Sequence, residues 1–144
     1  MNIQKISYTL SNIQKVVLLI AEQMEHSSVF CLYGDLGAGK TTLVKKLLAA
    51  CGVTEVITSP TFTYVNVYKN NQGQTFYHFD LYRIGSVDEF IALGFDEYIN
   101  QPNSWAFIEW PEHIISLLPD NTCILTIEHE RDLKSRTMVI GSDS

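Results

Sequence analysis

The chain has 144 residues, of which 46% are hydrophobic and 18% charged, and its formal net charge is −6. This size and composition are typical of globular proteins and predict a single domain over residues 1–144. Lysine and arginine together number only ten. That argues against a free-standing nucleic-acid-binding protein, because such proteins usually carry a basic face.

The cysteines and the apolar runs indicate the compartment. The three cysteines form no CxxC pair, and an odd number cannot close into a complete disulfide set, so buried thiols in a reducing compartment are expected. The longest purely apolar run, Val16–Ala21, is too short to cross a bilayer. The first ten residues also lack the layout of a signal peptide. We therefore expect a soluble, cytoplasmic protein that does not contact a membrane.

In the first third of the chain, strand and helix patterns alternate. A short strand is predicted at 3–10, and Ser11 and Gln14 fit a capping box that opens a helix. The run Val29–Tyr33 predicts a strand buried on both faces, as in a parallel sheet. A second helix is predicted over 41–51. The apolar residues of the first helix share one face at helical spacing: Ile13, Val16, Val17, Ile20, Ala21 and Met24.

The middle of the chain predicts a hairpin and a short helix. A short strand fits 55–58, and two longer strands fit 61–68 and 74–81, joined by a turn at 70–73. A short helix follows from Ser86, with acidic residues in its first turn and Gly94 at its end.

The last third predicts more strands. The apolar strand Ser104–Ile108 ends at Glu109, and Pro111 stands where a helix would begin. A closing hairpin fits 122–128 and 136–140. The whole order predicts an α/β fold with a mainly parallel sheet, antiparallel hairpin additions and helices on both faces.

One segment carries a specific chemistry. Residues 34–41 match G-x-x-x-x-G-K-[ST], the P-loop, between a predicted strand and a predicted helix. Glycine lets the backbone curl so that several N–H groups point at phosphate oxygens, and the helix N-terminus adds partial positive charge. Lys40 is expected to reach the β- and γ-phosphates of ATP, and Thr41 to bind Mg²⁺. The nucleotide-binding residues predicted here are Gly34, Asp35, Leu36, Gly37, Ala38, Gly39, Lys40, Thr41 and Thr42.

A P-loop protein also needs a carboxylate at the end of a neighbouring strand, to hold Mg²⁺ or to orient the attacking water. Glu109 ends one apolar run and Asp80 ends another, so at least one of them is predicted to serve the metal. His78 shares a strand face with Asp80. The two would suit a metal pair, although a structural histidine hydrogen-bonded near the site is the simpler interpretation.

Four segments together resemble the bacterial TsaE family, also called YjeE: GDLGAGKTT at 34–42, SPTFTYVN at 59–66, HFDLYR at 78–83 and FIEWPE at 107–112. This resemblance implies a small P-loop ATPase needed for tRNA threonylcarbamoyladenosine synthesis, with ATP and Mg²⁺ as cofactors. It also implies TsaD and TsaB as partners. TsaD transfers a threonylcarbamoyl group to the adenosine beside the anticodon, so this chain is expected to meet tRNA only indirectly.

The same resemblance implies roles for individual residues. Thr61 is placed in a switch segment near the γ-phosphate, Asp80 is a catalytic or metal-orienting acid, and Glu109 is the metal-linked acid. Arg136 is matched to a C-terminal arginine near the nucleotide. Tyr64 departs from the family, which more often has an aliphatic residue there, but tyrosine suits the predicted strand equally well.

The predicted reaction is ATP hydrolysis, slow for the chain alone and faster on the partner complex. Arg83 either supplies charge to the transition state or makes a surface ion pair. A small-molecule kinase is one alternative, although the chain lacks the arginine-rich lid that such kinases usually have. A GTPase is disfavoured because no NKxD segment is present. A nucleotide-dependent switch scaffold without significant turnover is the other alternative.

Overall fold

Strands and helices alternate along the residues that the computed structural model describes, 3–142. The strands are β1 (Gln4–Tyr8), β2 (Val29–Tyr33), β3 (Val65–Lys69), β4 (Thr75–Asp80), β5 (Ser104–Glu109), β6 (Cys123–His129) and β7 (Arg136–Ser142). The α-helices within these residues are α1 (Gln14–Gln23), α2 (Lys40–Ala50) and α3 (Val87–Ala92). The strands form a seven-stranded sheet in the order β1-β7-β6-β2-β5-β4-β3.

The centre of this sheet is parallel and its flanks are antiparallel. β2 pairs in parallel with both β5 and β6, and β4 pairs in parallel with β5. β3 joins β4 as an antiparallel hairpin, β7 joins β6 in the same way, and β1 then pairs antiparallel with β7. The predicted α/β class, with a parallel centre and added hairpins, is confirmed.

A separate hydrophobic core packs against each face of the sheet. Phe30 of β2 stacks on Phe107 of β5, with ring centroids 5.2 Å apart, in the cluster that contains the apolar faces of α1 and α2. Their strand neighbours Val29 and Ile108 point to the opposite face and pack with Phe90 of α3. Because successive strand residues alternate between faces, a continuous apolar run is what a strand covered on both sides requires. The prediction of helices on both faces is confirmed.

The segment before β3 differs from the prediction. Residues 55–58 do not form a strand, and 61–64 form a turn instead of the start of one. The hydroxyl of Tyr68 accepts the Thr58 N–H at 3.1 Å, so side chains rather than a strand ladder hold this segment. Tyr64 has φ 67°, and its N–H donates to the Pro60 carbonyl at 2.8 Å. Tyr64 therefore lies in a turn before β3, and the prediction that placed it in a strand is wrong.

Two predicted helix starts also differ. The capping contact before α1 involves Thr9, whose N–H donates to Asn12 Oδ1 at 2.7 Å, and not Ser11 with Gln14. A short 3₁₀ turn then precedes the α-helix. Pro111 opens a turn rather than an α-helix, because its carbonyl accepts the Ile114 N–H and a 3₁₀ turn follows.

The cysteines are free and mostly buried. Burial raises the pKa of the Cys31 thiol to about 12 and that of Cys123 to about 11. Cys51 is partly buried, and burial raises its pKa too. Within residues 3–142, no helix has the length and apolarity that a membrane crossing requires.

The approach of the P-loop to β6 leads to a stability prediction. A Cβ added at Gly34 would lie 2.8 Å from the Ile127 carbonyl oxygen, closer than such atoms can pack. We expect Gly34→Ala to lower the free energy of unfolding by about 1–3 kcal/mol, measured by urea denaturation. Gly85→Ala is the control, since its Cβ would meet only Glu89 Oε1 at 3.7 Å. Equal losses in the two variants would contradict the close approach.

Candidate active site

The P-loop connects β2 to α2 as the motif predicted. Gly37 has φ 81° and Gly39 has φ 104°, which are left-handed conformations that glycine adopts without strain. No atom lies within 4 Å of where a Cβ would stand on either glycine. The Ala38 N–H donates to the Asp35 carbonyl at 3.0 Å and closes the turn, while Asp35 and Leu36 are exposed. The loop is thus curled, with open space in front of Gly37 and Gly39.

A cleft of about 340 Å³ opens beside this loop. It exists at this edge because the carboxyl ends of the parallel strands β2, β4 and β5 meet there. The structure brings most of the predicted site residues together in it, along with Ser59, which the sequence analysis did not single out. The lining residues with a hydroxyl, carboxylate or ammonium group are Lys40, Thr41, Thr42, Ser59, Thr61, Asp80 and Glu109.

The two strand-end acids lie side by side but have different contacts. Asp80 and Glu109 are paired in the parallel register of β4 and β5, and both are buried. The Thr41 hydroxyl donates to the Glu109 carboxylate, at 2.9 Å from Oε2 and 3.1 Å from Oε1. Asp80 Oδ1 instead accepts the N–H of Tyr82 at 3.1 Å. Glu109 is therefore attached to the P-loop helix, and Asp80 to the turn that follows its own strand.

The Lys40 ammonium contacts a backbone carbonyl and an aromatic ring of the same chain. Its ammonium donates to the Gly34 carbonyl and lies 3.5 Å from the ring centroid of Trp110, a cation–π contact. Burial lowers the pKa of Lys40, and the nearby carboxylates, Glu109 foremost, oppose that shift. Trp110 has φ 58°, so the chain turns sharply directly after Glu109. The contact between Lys40 and Trp110 was not predicted, because it joins residues 70 positions apart in the sequence.

A second cleft, of about 220 Å³, also borders the P-loop. Arg136, which the resemblance placed near the nucleotide, donates from Nε to the Ala38 carbonyl at 3.0 Å. Tyr8 is its register partner across β1 and β7. The approach of β1 to the P-loop depends on this strand pairing, so no local pattern could reveal it. Besides three residues of the P-loop turn, the lining consists of Tyr8, Leu10, Ile13, Thr42, Lys134 and Arg136.

The structure bears on two residues, His78 and Arg83, for which the sequence left alternative roles open. His78 is fully buried and bonds Glu109 through Nε2 at 2.6 Å, as expected for a structural histidine near the site. Within residues 3–142, no three His, Cys, Asp or Glu side chains are grouped to hold a metal by themselves. Arg83 is exposed, and its guanidinium lies 5.2 Å from the ring centroid of Phe62.

The residues present fit a magnesium ion bound together with phosphate. Mg²⁺ prefers oxygen ligands and is usually held by one or two carboxylates plus substrate phosphates rather than by an all-protein cage. The Thr41 hydroxyl and the Glu109 carboxylate supply such oxygens next to the open, glycine-lined loop. The small number of protein donors is therefore what a site completed by phosphate requires.

The parallel sheet, the glycine-rich loop before α2 and the strand-end acids define a P-loop NTPase-type domain. A family model described as threonylcarbamoyl adenosine biosynthesis protein TsaE matches residues 8–138. The TsaE protein of Haemophilus influenzae is 35% identical over 122 residues, covering 85% of this chain and 76% of the relative. The TsaE protein of Rickettsia felis is 40% identical over 132 residues, covering 91% and 75%.

A solved structure shares the fold. The crystal structure of Bacillus subtilis YdiB matches all of this chain and 89% of its own, with a TM-score of 0.68 and 24% sequence identity. The family match and the relatives together show that this chain belongs to the TsaE family of tRNA threonylcarbamoyladenosine biosynthesis proteins. The resemblance drawn from the four sequence segments is confirmed.

The Trp110 contact predicts a spectroscopic signal. If Lys40 turns to phosphate when nucleotide binds, Trp110 loses its cationic neighbour and its fluorescence changes. We expect ATP with magnesium to change the intrinsic fluorescence of the wild type and of Trp105→Phe, but not of Trp110→Phe. A signal that persists in Trp110→Phe would show that Trp105 is the reporter, and no change in the wild type would show that Lys40 keeps its contact with Trp110.

Proposed function

We propose that this chain binds ATP with Mg²⁺, hydrolyses the ATP, and acts on the TsaB–TsaD complex during tRNA threonylcarbamoyladenosine synthesis. The observation that carries the proposal is the contact of Thr41 with Glu109 beside an open P-loop. A hydroxyl at the start of the P-loop helix and a strand-end carboxylate are the protein groups that P-loop NTPases use for magnesium. The proposal thus assigns the binding of magnesium to particular atoms of this chain, the Thr41 hydroxyl and the Glu109 carboxylate.

The protein groups act mainly by position and charge. Lys40 and the loop N–H groups neutralise the phosphates, and Thr41 with Glu109 would hold the magnesium ion, which supplies further positive charge to the phosphate oxygens. Lys40 is already buried at the cleft and needs only to exchange the Gly34 carbonyl and the Trp110 ring for phosphate oxygens. Phosphoryl transfer requires little other covalent chemistry from the protein.

The two acids have separate tasks in this proposal. Glu109 is already engaged by Thr41 and His78 and serves the metal. Asp80 borders the same cleft, and one of its oxygens accepts the Tyr82 N–H, so it orients the attacking water. The Asp80 N–H donates to the Tyr64 carbonyl at 2.9 Å. This links Asp80 to the segment that contains Thr61, which lines the cleft and senses the γ-phosphate.

We further propose that the 220 Å³ cleft holds the adenosine part of ATP. It adjoins the P-loop through Gly37, Gly39 and Thr42. Leu10 and Tyr8 offer apolar surface to a base, and Arg136 adds positive charge at the loop. Apolar walls with a few polar groups are typical of a cofactor pocket.

The two alternative functions, a small-molecule kinase and a switch without turnover, require different protein groups from those that ATP hydrolysis requires. A small-molecule kinase needs basic residues that close over an acceptor, whereas Arg83 lies against Phe62 and Arg136 is bonded to the P-loop. A switch without turnover would bind nucleotide through Lys40 and Thr41 but would have no need of an acid to orient water. Asp80 at the cleft favours hydrolysis.

The separate roles proposed for Asp80 and Glu109 lead to a kinetic prediction. We expect Asp80→Asn to lower phosphate release by about 10²-fold or more while Mg-ATP still binds, because only the water-orienting group is lost. Glu109→Gln is expected to weaken the magnesium dependence of nucleotide binding itself. Phosphate release and nucleotide binding are measured separately, with and without purified TsaB and TsaD.

Lys40→Ala serves as the blank in that assay. Stimulation by TsaB and TsaD that Lys40→Ala abolishes supports the reaction and the partners together. ATP binding without phosphate release in any mixture would favour the switch. Phosphate transferred to an added acceptor would favour the kinase.

The adenosine assignment leads to a binding prediction. Leu10 is 67% exposed, so its replacement is not expected to disturb the core. We expect Leu10→Asp to weaken ATP and ADP binding equally, by about fivefold to tenfold, because an acid replaces apolar contact with the base. Leu18→Asp on α1 is the matched control, since Leu18 is 63% exposed and does not line the cleft. Unchanged affinity in Leu10→Asp would place the base elsewhere.

A further inference from the structure

His78 stands out among the buried polar residues of the chain. Its ring is fully buried, and Nε2 lies 2.6 Å from Glu109 Oε2. Because a carboxylate only accepts hydrogen bonds, Nε2 carries the hydrogen in this contact. The other ring nitrogen, Nδ1, has no hydrogen-bond partner among residues 3–142. The polar interaction that the ring makes is therefore directed at Glu109.

The position of His78 in the sheet separates it from the reacting groups. It lies on β4 opposite Phe107 of β5, two residues further from the strand ends than the pair formed by Asp80 and Glu109. It does not line the 340 Å³ cleft. His78 therefore contacts Glu109 from within the protein, whereas Thr41 contacts the same carboxylate from the P-loop side.

Resting on the proposed function of Glu109, we propose that His78 is a positioning residue for the metal. A glutamate side chain has several rotatable bonds, and a carboxylate free to rotate would have to be ordered each time magnesium binds. The Nε2–H of His78 holds one carboxylate oxygen in place before the ion arrives. Groups that orient a metal ligand from behind typically change metal affinity or activity by about 10–100-fold when they are removed.

The test compares three substitutions of His78. His78→Gln keeps an N–H at about the distance of Nε2, whereas His78→Asn is too short to reach Glu109, and His78→Phe keeps a ring without a donor. The measurement is binding of a fluorescent ATP analogue, once in EDTA and once over a magnesium titration. Unfolding midpoints in urea show which variants are folded.

We expect the Asn and Phe variants to need about 10–100-fold more magnesium for half-maximal enhancement of binding, with unchanged affinity in EDTA. The Gln variant should stay within about threefold of the wild type. A role in folding alone would lower the unfolding midpoint of all three variants without moving the magnesium requirement of those that fold. If the Phe variant does not fold, the Asn and Gln variants decide the question.

Two results would overturn the role of His78 and leave the proposed function intact. One is that the folded Asn and Phe variants have the magnesium requirement of the wild type. The other is that the Gln variant is as impaired as the Asn variant. If nucleotide binding by the wild type does not respond to magnesium at all, the proposed function fails, and the role of His78 with it. The titration of the wild type therefore distinguishes the two failures before any variant is compared.

Discussion

The parallel pairing of β5 between β2 and β4 is the constraint on which the site depends. This register puts Glu109 beside Leu32, at the end of the strand that leads into the P-loop, and beside Asp80 on the other side. A shift of one residue in either pairing would turn the acids to the opposite face of the sheet. The contact of Thr41 with Glu109 is thus a consequence of strand register as much as of the motif.

The two cores explain why this edge of the sheet is well defined. Phe30 and Phe107 bury one face under α1 and α2, and Val29 and Ile108 bury the other under α3. Sheets covered on both faces have little freedom to slip, because a slip would expose apolar side chains on each side. The strand ends can therefore present polar groups to a cleft while the rest of each strand stays in apolar surroundings.

Two residues with a left-handed backbone conformation lie next to the strand ends at this edge. Tyr64 and Trp110 both have positive φ, which is uncommon for residues other than glycine. Tyr64 accepts the N–H of Asp80, and Trp110 follows Glu109 and lies against Lys40. Strained conformations of this kind persist where surrounding contacts over-determine them, and they often occur at functional sites. Both segments border the same cleft, one through Thr61 and the other through Trp110.

Local patterns predicted much of the fold. The P-loop spacing, the strand Val29–Tyr33 and the short helix α3 with its acidic first turn depend on neighbours within a few residues, and each appears as predicted. The acids at the ends of apolar runs were also found from sequence, because parallel strands place their carboxyl ends together. Family membership followed from four segments whose order and spacing are visible in the chain itself.

Contacts between distant residues decided the rest. The stretch 55–58 lacks a strand because the side chains of Asn66 and Tyr68 bind Thr58. The bond of His78 to Glu109, the contact of Lys40 with Trp110 and the cleft beside Tyr8 each join residues that are far apart in the sequence. Sequence alone therefore determined which residue types are available for phosphate and metal, through short-range periodicity and turn chemistry. Only tertiary structure decided which of them touch, because strand register and side-chain packing act across the whole chain.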